Sequence, residues 1–208
     1  MCVCTYVVEN DDMTRELTVK GEGACPQGVG KEDNAGVLYF NNSFNVNQQS
    51  NDFVVEFDLR RGLKNSSTFP DYTIQRTSVS LINTVETGNI EGTVALSTYD
   101  NCNNGDNTFV QSVYLYEGNI DKADMAPIGG IEEVKPITSA SVTMNSAQTN
   151  YEFSLGFIDP GTYSLGYTCT AQHDSDEDNV DPVADGFEIY EVQNDVQVII
   201  NQDSQVSF

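Results

Sequence analysis

The chain has 208 residues, 38% of them hydrophobic, and 32 acidic residues against nine basic ones give it a net charge of −23. This length allows one large or two modest all-β domains, and the hydrophobic share is enough to bury a core. The acidic excess argues against nucleic acid as a partner, because phosphate binding needs clustered Lys and Arg. It also argues against binding to anionic lipid headgroups, and the sequence has no apolar run of about 18 residues that could span a membrane.

The charge is distributed unevenly along the chain. Residues 1–88 carry 12 acids and 7 bases, a net of −5, whereas residues 89–208 carry 20 acids and 2 bases, a net of −18. Such a break in composition is typical of two units with different surfaces. We therefore predict a β domain over 1–88 and an acidic β-sandwich over 89–208.

Alternating apolar and polar residues dominate the first half, which is the pattern of half-buried antiparallel strands. Strands are predicted near 3–9, 15–20, 36–40 and 72–83. The clearest alternation is "DFVVEFDLRR", which predicts a strand with one buried apolar face made of Phe53, Val55, Phe57 and Leu59.

The second half continues the same pattern after a short polar junction in "INTVETGNIEGTV" (82–94), where one strand ends near Asn83 and the next begins at Asn89. Further strands are predicted near 89–99, 109–117, 136–144, 187–192 and 194–200. No stretch shows a long apolar period of 3.6 residues, so the predicted class is all-β, with two antiparallel sandwich-like domains. Two strands have a predicted inward face, which consists of Tyr151, Phe153, Leu155 and Phe157 in one and of Tyr163, Leu165, Tyr167 and Cys169 in the other.

The five cysteines suggest an oxidising compartment. Cys102 and Cys169 are the only two in the acidic half, and Cys169 falls on the apolar face of its strand, so they are natural disulfide partners. Cys25 is expected to pair with Cys2 or Cys4, which leaves one thiol over. The alternative is a cytosolic protein with buried free thiols. Met1 is followed by "CVCTYVVENDD", so either the chain is cytosolic or a targeting segment has been removed.

Two stretches resemble known envelope domains. "FVVEFDLRRGLKN" followed by "YTIQRTSVSLINTVETGNIEGTV" resembles the closing part of a domain family of unknown function from lipid-anchored envelope proteins of Gram-negative bacteria. The end of that stretch, with "VYLYEG" and "FIDPGTYSLGYTC", is similar to prealbumin-like (transthyretin-like) sandwich domains, which include the regulatory-type domain of carboxypeptidases. The resemblance implies a periplasmic or cell-surface outer-membrane lipoprotein. It also implies a lipid anchor upstream of Met1, with a first domain that is incomplete at its N-terminus.

The acidic stretch "AQHDSDEDNVDPVADGF" (171–187) is the strongest candidate for a metal site, since it holds five aspartates and one glutamate. Alternate carboxylates in a tight loop can supply the six to eight oxygens that Ca²⁺ requires. We therefore predict that a calcium-binding hairpin loop forms between two strands. The alternative is a solvated acidic loop. The predicted ligands are Asp174, Asp176, Asp178, the carbonyl of Val180, and Asp185.

Other chemistry has weaker support in the sequence. His173 is the only histidine, and no G-x-S-x-G is present, which disfavours a serine hydrolase. The absence of tryptophan weakens a sugar-binding platform; tyrosines could supply aromatic faces for a sugar, but ordinary strand packing is the favoured explanation for them. The candidates are Tyr99, Tyr114, Tyr116 and Tyr190.

The combined expectation is a non-catalytic cell-envelope or surface protein that is structural or binds a protein or glycan partner. Its predicted cofactor is Ca²⁺, and no nucleic acid is expected to bind. The alternative is a metal-dependent hydrolase that uses the 174–185 loop to hold its ion, which requires an unfilled coordination position beside a deep pocket.

Overall fold

A computed structural model describes residues 6–8, 14–19, 40, 46, 50–65, 72–75, 78–103, 108–129, 134–174 and 186–208. These residues form mostly β-strands, which confirms the predicted all-β class. The chain divides into two compact units, one of residues 1–46 and 53–82 and the other of residues 47–52 and 83–208. The assignment of 1–88 and 89–208 to particular domain families stays a prediction.

The first unit contains six strands in its described part. Two sheets are formed, one with the order β1-β2-β5-β4 and one that pairs β3 with β6. A short helix, α1, follows β3. The bounds are β1 (Tyr6–Val8), β2 (Thr14–Val19), β3 (Phe53–Phe57), α1 (Leu59–Gly62), β4 (Leu63–Asn65), β5 (Tyr72–Ile74) and β6 (Val79–Asn83).

Strand β3 forms where the alternation predicts it, but the predicted burial of its apolar face is wrong. Phe53, Val55 and Phe57 are 40%, 47% and 45% exposed, and Leu59 at the start of α1 is also exposed. The physical reason is that alternation fixes only the direction in which side chains point. Burial needs a second layer of side chains on that face, and β3 belongs to a sheet of two strands.

The second unit holds eight strands and one helix among the described residues. Its sheets have the orders β10-β11-β7-β14 and β13-β12-β8-β9, and all their strand pairs are antiparallel except β7 with β14. The bounds are β7 (Gly88–Val94), α2 (Leu96–Asn103), β8 (Ser112–Glu117), β9 (Thr138–Ser141), β10 (Thr143–Met144), β11 (Tyr151–Ile158), β12 (Gly161–Thr168), β13 (Ile189–Val198) and β14 (Asp203–Ser207).

The two sheets of the second unit share one core, as expected of a sandwich. Side chains from β7 and β11 in one sheet pack with side chains from β8 and β12 in the other. Gly92 shows how close this packing is, because a Cβ on it would overlap the ring of Phe153 on the neighbouring strand. The members from these four strands are Ile90, Val94, Phe153, Leu155, Ile158, Val113, Leu115, Tyr163, Leu165 and Tyr167.

The junction forms as predicted, with β6 ending at Asn83, a 3-10 turn over Thr84–Glu86, and β7 beginning at Gly88. The strand predicted over 89–99 is too long, because the chain leaves the sheet after Val94 and forms α2. Few residues of α2 are strong helix formers. Of all the residues in this helix, only Cys102 is buried. Tertiary contacts therefore stabilise a helix that the sequence pattern does not reveal.

Strand β11 departs from its predicted face at one residue. Tyr151, Phe153 and Leu155 point inward, but Phe157 is exposed with a φ of 59°, and Ile158 takes the buried place instead. The pairing with β7 shifts register between Leu155 and Ile158. This β-bulge adds one residue to the strand, so the side chains after it change face.

Strand β12 buries the predicted inward residues Tyr163, Leu165 and Tyr167, with Cys169 just beyond its end. Ser164 and Thr168, expected to face water, are also fully buried. A second apolar cluster covers that face of the sheet, so β12 is a central strand covered on both sides. The buried members of this cluster are Tyr114, Tyr116, Met125, Ala171, Phe187 and Ile189.

The end of the chain differs from the prediction in the number of strands. The strands predicted near 187–192 and 194–200 are one strand, β13, and a further strand, β14, was not predicted. Asp195 within β13 has a φ of 60°, and the pairing with β12 shifts nearby, so the alternation that marks a single strand is interrupted there. β14 carries mostly polar residues and lies at the edge of its sheet, where few side chains need to be apolar.

Candidate functional site

The base of the acidic loop is the first of two candidate sites. A 3-10 turn over Ala171–His173 leads into Asp174, whose carboxylate accepts hydrogen bonds from the Tyr114 hydroxyl (2.7 Å) and the Gly129 backbone N–H (3.1 Å). Asp174 is therefore fixed against the second apolar cluster. The other predicted ligands Asp176, Asp178, Val180 and Asp185 lie outside the described residues.

The two ends of this loop are held together by side chains near the end of β12. The Thr168 hydroxyl donates to the Glu188 carbonyl (2.5 Å), and the Glu188 N–H donates to the Thr170 hydroxyl oxygen (2.8 Å). Gly186 lies beside the His173 ring, since a Cβ on it would be 3.8 Å from that ring. The loop between β12 and β13 is thus closed at its base.

The side chains at the closed end of the acidic loop suit a cation only in part. Within the residues that the structure describes, no group of three or more His, Cys, Asp or Glu side chains converges to hold a metal. Asp174 is the one predicted ligand among the described residues, and each of its two oxygens already accepts one hydrogen bond. The calcium site stays a prediction about residues 174–185.

The four candidate sugar-binding tyrosines separate into two pairs. Tyr114 and Tyr116 are fully buried in the second apolar cluster, so ordinary strand packing, and not an aromatic face for a sugar, accounts for these two. The Tyr116 hydroxyl donates to the Ala126 carbonyl (2.6 Å). Burial, and then the charge of Asp174, raise the pKa of Tyr116 above its usual range. These two residues have a packing role.

Tyr99 and Tyr190 instead each pair with a tyrosine that was predicted only as a core residue. The rings of Tyr99 and Tyr151 stack face to face with centroids 3.4 Å apart and planes within 3°. The ring of Tyr190 meets the ring of Tyr167 edge-on at 6.1 Å, and Tyr190 is 42% exposed. We call Tyr99, Tyr151, Tyr167 and Tyr190 the tyrosine cluster; it is the second candidate site.

Several bonds fix α2, the helix that carries Tyr99. A disulfide joins Cys102 in α2 to Cys169 at the end of β12 with Cα atoms 5.6 Å apart, which confirms the predicted pairing. The Gln111 amide donates to the Tyr99 carbonyl (3.0 Å) and to the Asn103 side chain (2.6 Å). Its carbonyl oxygen accepts from the Tyr167 hydroxyl. One buried glutamine therefore connects both halves of the cluster.

Acidic side chains lie close to the tyrosine cluster. Burial, and then the neighbouring Tyr99, raise the pKa of Tyr151, and Asp100 adds to this effect. Burial is also the main cause that raises the pKa of Tyr167, with contributions from the surrounding tyrosines and from Glu191. The cluster thus combines partly exposed aromatic rings with carboxylates.

The sequence contained part of this site. Tyr99 and Tyr190 were candidates by residue type, and the alternating pattern placed Tyr151 and Tyr167 on inward faces. Gln111 gave no signal, because a buried polar residue in a strand-rich segment cannot be told from a surface one until its partners are known. The predicted partners Cys4 and Cys25, and the alternative Cys2, lie outside the described residues.

Comparison with known proteins finds no match to a family model, a curated protein or a solved structure. Among the described residues, neither helix has the length and apolar character needed to cross a membrane.

Proposed function

We propose that this chain is a non-catalytic protein of the bacterial cell envelope or cell surface, whose second unit binds a partner. The observation that carries the proposal is the Cys102–Cys169 disulfide, because such bonds form and persist in oxidising compartments outside the cytoplasm. The net charge of −23 agrees with an exposed, soluble surface. The resemblance to envelope lipoproteins and prealbumin-like domains, and the lipid anchor that it implies, belong to this same proposal.

The tyrosine cluster supports partner binding as the role of the second unit. The disulfide and the Gln111 amide fix the backbone of α2, which carries Tyr99, and the Tyr167 hydroxyl bonds to Gln111. Part of the freedom of the cluster is therefore already lost before a partner binds. Rigid aromatic side chains supply large contact areas at low entropic cost, and Tyr is among the residues that contribute most to binding energy. Tyr190, the most exposed ring of the tyrosine cluster, is the expected contact residue.

Calcium is the proposed stabilising ion, held by the 174–185 loop. The support comes from the alternate aspartates in the sequence and from Asp174, which is fixed at the closed base of the loop. If only the folded state binds the ion, a free ion concentration of about 100 times the dissociation constant adds about 2.7 kcal/mol to the free energy of unfolding. Thermal unfolding in millimolar calcium and then in chelator tests this. An unchanged midpoint would show that the loop is only solvated.

The compartment is tested by titrating free thiols in unreduced, denatured protein purified from its native cells. The Cys102–Cys169 bond and the predicted bond of Cys25 leave one reactive thiol, and the first bond alone leaves three. Fractionation of the same cells should place the protein in the periplasm or outer membrane. Five reactive thiols together with a cytoplasmic location would overturn the proposal.

A further inference from the structure

We propose that the tyrosine cluster is a binding site for a neutral glycan, with Tyr190 as the principal stacking residue and Asp100 and Glu191 as hydrogen-bond acceptors for sugar hydroxyls. This deepens the partner binding proposed above and rests on it. Four features of the cluster support it: the exposure of its rings, the way in which they are fixed, the charge around them and the polar residues beside them.

The rings remain accessible although they belong to a packed sandwich. Tyr99 and Tyr151 are partly buried against the main core, and Tyr190 keeps 42% of its surface exposed. Tyr167 is fully buried and is in ring contact with Tyr190 and with Phe208. The exposed ring of Tyr190 therefore packs against a buried aromatic ring. Such a surface can pack against the apolar C–H face of a sugar ring.

The cluster is built to hold its shape without a ligand. Three attachments hold the helix of Tyr99: the disulfide at Cys102, the Gln111 amide, and a backbone bond from Ala95 N–H to the Phe208 carbonyl (3.0 Å). Tyr190 is fixed through its backbone, whose carbonyl accepts from the Lys122 ammonium (2.9 Å). Prior fixing of a binding site lowers the entropy lost on binding, which matters most for weak ligands such as sugars.

Charge selects a neutral ligand. Asp100 follows Tyr99 in α2 and is exposed, and Glu191 on β13 pairs with Tyr167 on β12. Residues 89–208 contain only two bases against 20 acids, and one of them, Lys122, is engaged with the Tyr190 carbonyl. An anionic glycan or a phosphate would be repelled by this surface. Carboxylates accept strong hydrogen bonds from hydroxyl groups, so a polyol offers donors where the site offers acceptors.

The polar surroundings favour a glycan over a protein. The exposed residues of α2 next to Tyr99 are mostly polar, among them Ser97, Asp100 and Asn101. A protein interface of ordinary size needs an apolar core depleted in charge. A few rings surrounded by carboxylates and amides match a small site in which a few polar groups set orientation.

The test is affinity electrophoresis of the full chain through gels that contain a soluble neutral polysaccharide, followed by calorimetry with the corresponding oligosaccharides. Mixed-linkage β-glucan, xylan and galactomannan are the three probes. We expect at least one of them to retard the wild-type chain, and Tyr190→Ala to weaken that binding by about tenfold or more, as for aromatic hot spots. Tyr190→Phe, which keeps the ring, should retain most of the affinity.

The matched control is Tyr6→Ala, which removes a tyrosine that is 59% exposed on β1 of the first unit. It should bind as the wild type does. Thermal unfolding of each variant establishes that Tyr190→Ala is folded. The inference is overturned if none of the three polysaccharides retards the wild-type chain, or if Tyr190→Ala binds as tightly as Tyr6→Ala. Either result leaves the envelope proposal standing, because thiol titration and fractionation judge that proposal independently.

Discussion

Strands β3 and β12 carry the same alternation of apolar and polar residues but have opposite surroundings. In β3, Phe53, Val55 and Phe57 are all exposed, although the pattern gives them a common face. In β12, Tyr163, Leu165 and Tyr167 are buried, and so are the polar residues Ser164 and Thr168. β3 lies in a sheet of two strands, whereas β12 is flanked by β8 and β13 and has a cluster on each face.

The difference shows that the number of layers around a strand decides how much its side chains stabilise the fold. Each fully buried side chain of β12 or β8 contributes about 1.5 to 3 kcal/mol by transfer from water. The exposed side chains of β3 keep much of their contact with water and contribute less. Four experiments test this comparison, in order of expected effect.

The largest effect is expected from removing the disulfide at the end of β12. The double variant Cys102→Ala/Cys169→Ala opens a loop of 67 residues, which should lower the free energy of unfolding of the second unit by about 4 kcal/mol. Denaturant unfolding of oxidised protein measures this. The control is the double variant with added reductant, which should show no further loss of stability in the second unit. Equal stability of wild type and variant would contradict the role given to this bond.

Two valines provide a matched pair for the strand comparison. Val113→Ala in β8 removes a fully buried side chain between the two sheets and should cost about 2 kcal/mol, because both transfer energy and packing are lost. Val55→Ala in β3, where the side chain is 47% exposed, should cost about 0.5 kcal/mol or less. Denaturant midpoints of the two variants measure the difference. Similar losses would mean that β3 is covered as well as β8.

A smaller effect is expected from the second cluster, which covers the outer face of β8 and β12. Tyr116→Phe removes the hydroxyl that donates to the Ala126 carbonyl and leaves that acceptor without its tyrosine partner, at a cost of about 1 to 2 kcal/mol. Tyr6→Phe is the control, because its ring is exposed. If both variants unfold like the wild type, the hydrogen bond from the Tyr116 hydroxyl contributes nothing to the stability of the second apolar cluster.

The smallest effect is the loss of stability when buried tyrosines ionise, which occurs only in alkali. Burial raises the pKa of Tyr116, Tyr163 and Tyr167 above the ordinary value of 10.0. Since the folded state binds these protons more tightly, their contribution is complete below about pH 10 and is lost as pH rises through the folded pKa. Titration of tyrosinate absorbance should show a late-ionising class in the folded protein that disappears in denaturant. A single class in both states would contradict their burial.

Much of the second unit was predictable because its signals are local. Alternation placed β8, β11 and β12, and a lone pair of cysteines in the acidic half identified the Cys102–Cys169 bond. The polar stretch after Asn83 marked the junction. Each of these depends on residues that are adjacent in sequence or unique in kind.

The features that were missed depend on contacts between distant residues. Helix α2 is held by Gln111, which lies outside it, and by Cys169 and Phe208, which are both far from it in sequence. The bulge at Phe157 is supported by a hydrogen bond from its N–H to the side-chain oxygen of Asn89 (3.2 Å) on the neighbouring strand. Neither helix α2 nor the bulge produces a periodic pattern of apolar residues in the sequence, because the residues that stabilise each of them belong to another element.

The sequence by itself determined the all-β class, the positions of most described strands and one disulfide, because pleated strands alternate their side chains and only two cysteines were available in the acidic half. Only the tertiary structure decided which of the candidate tyrosines are buried and which form a partly exposed cluster. The reason is geometric: each strand or helix presents its tyrosines in a direction fixed by the local backbone, but the layers that pack upon it decide whether they are exposed.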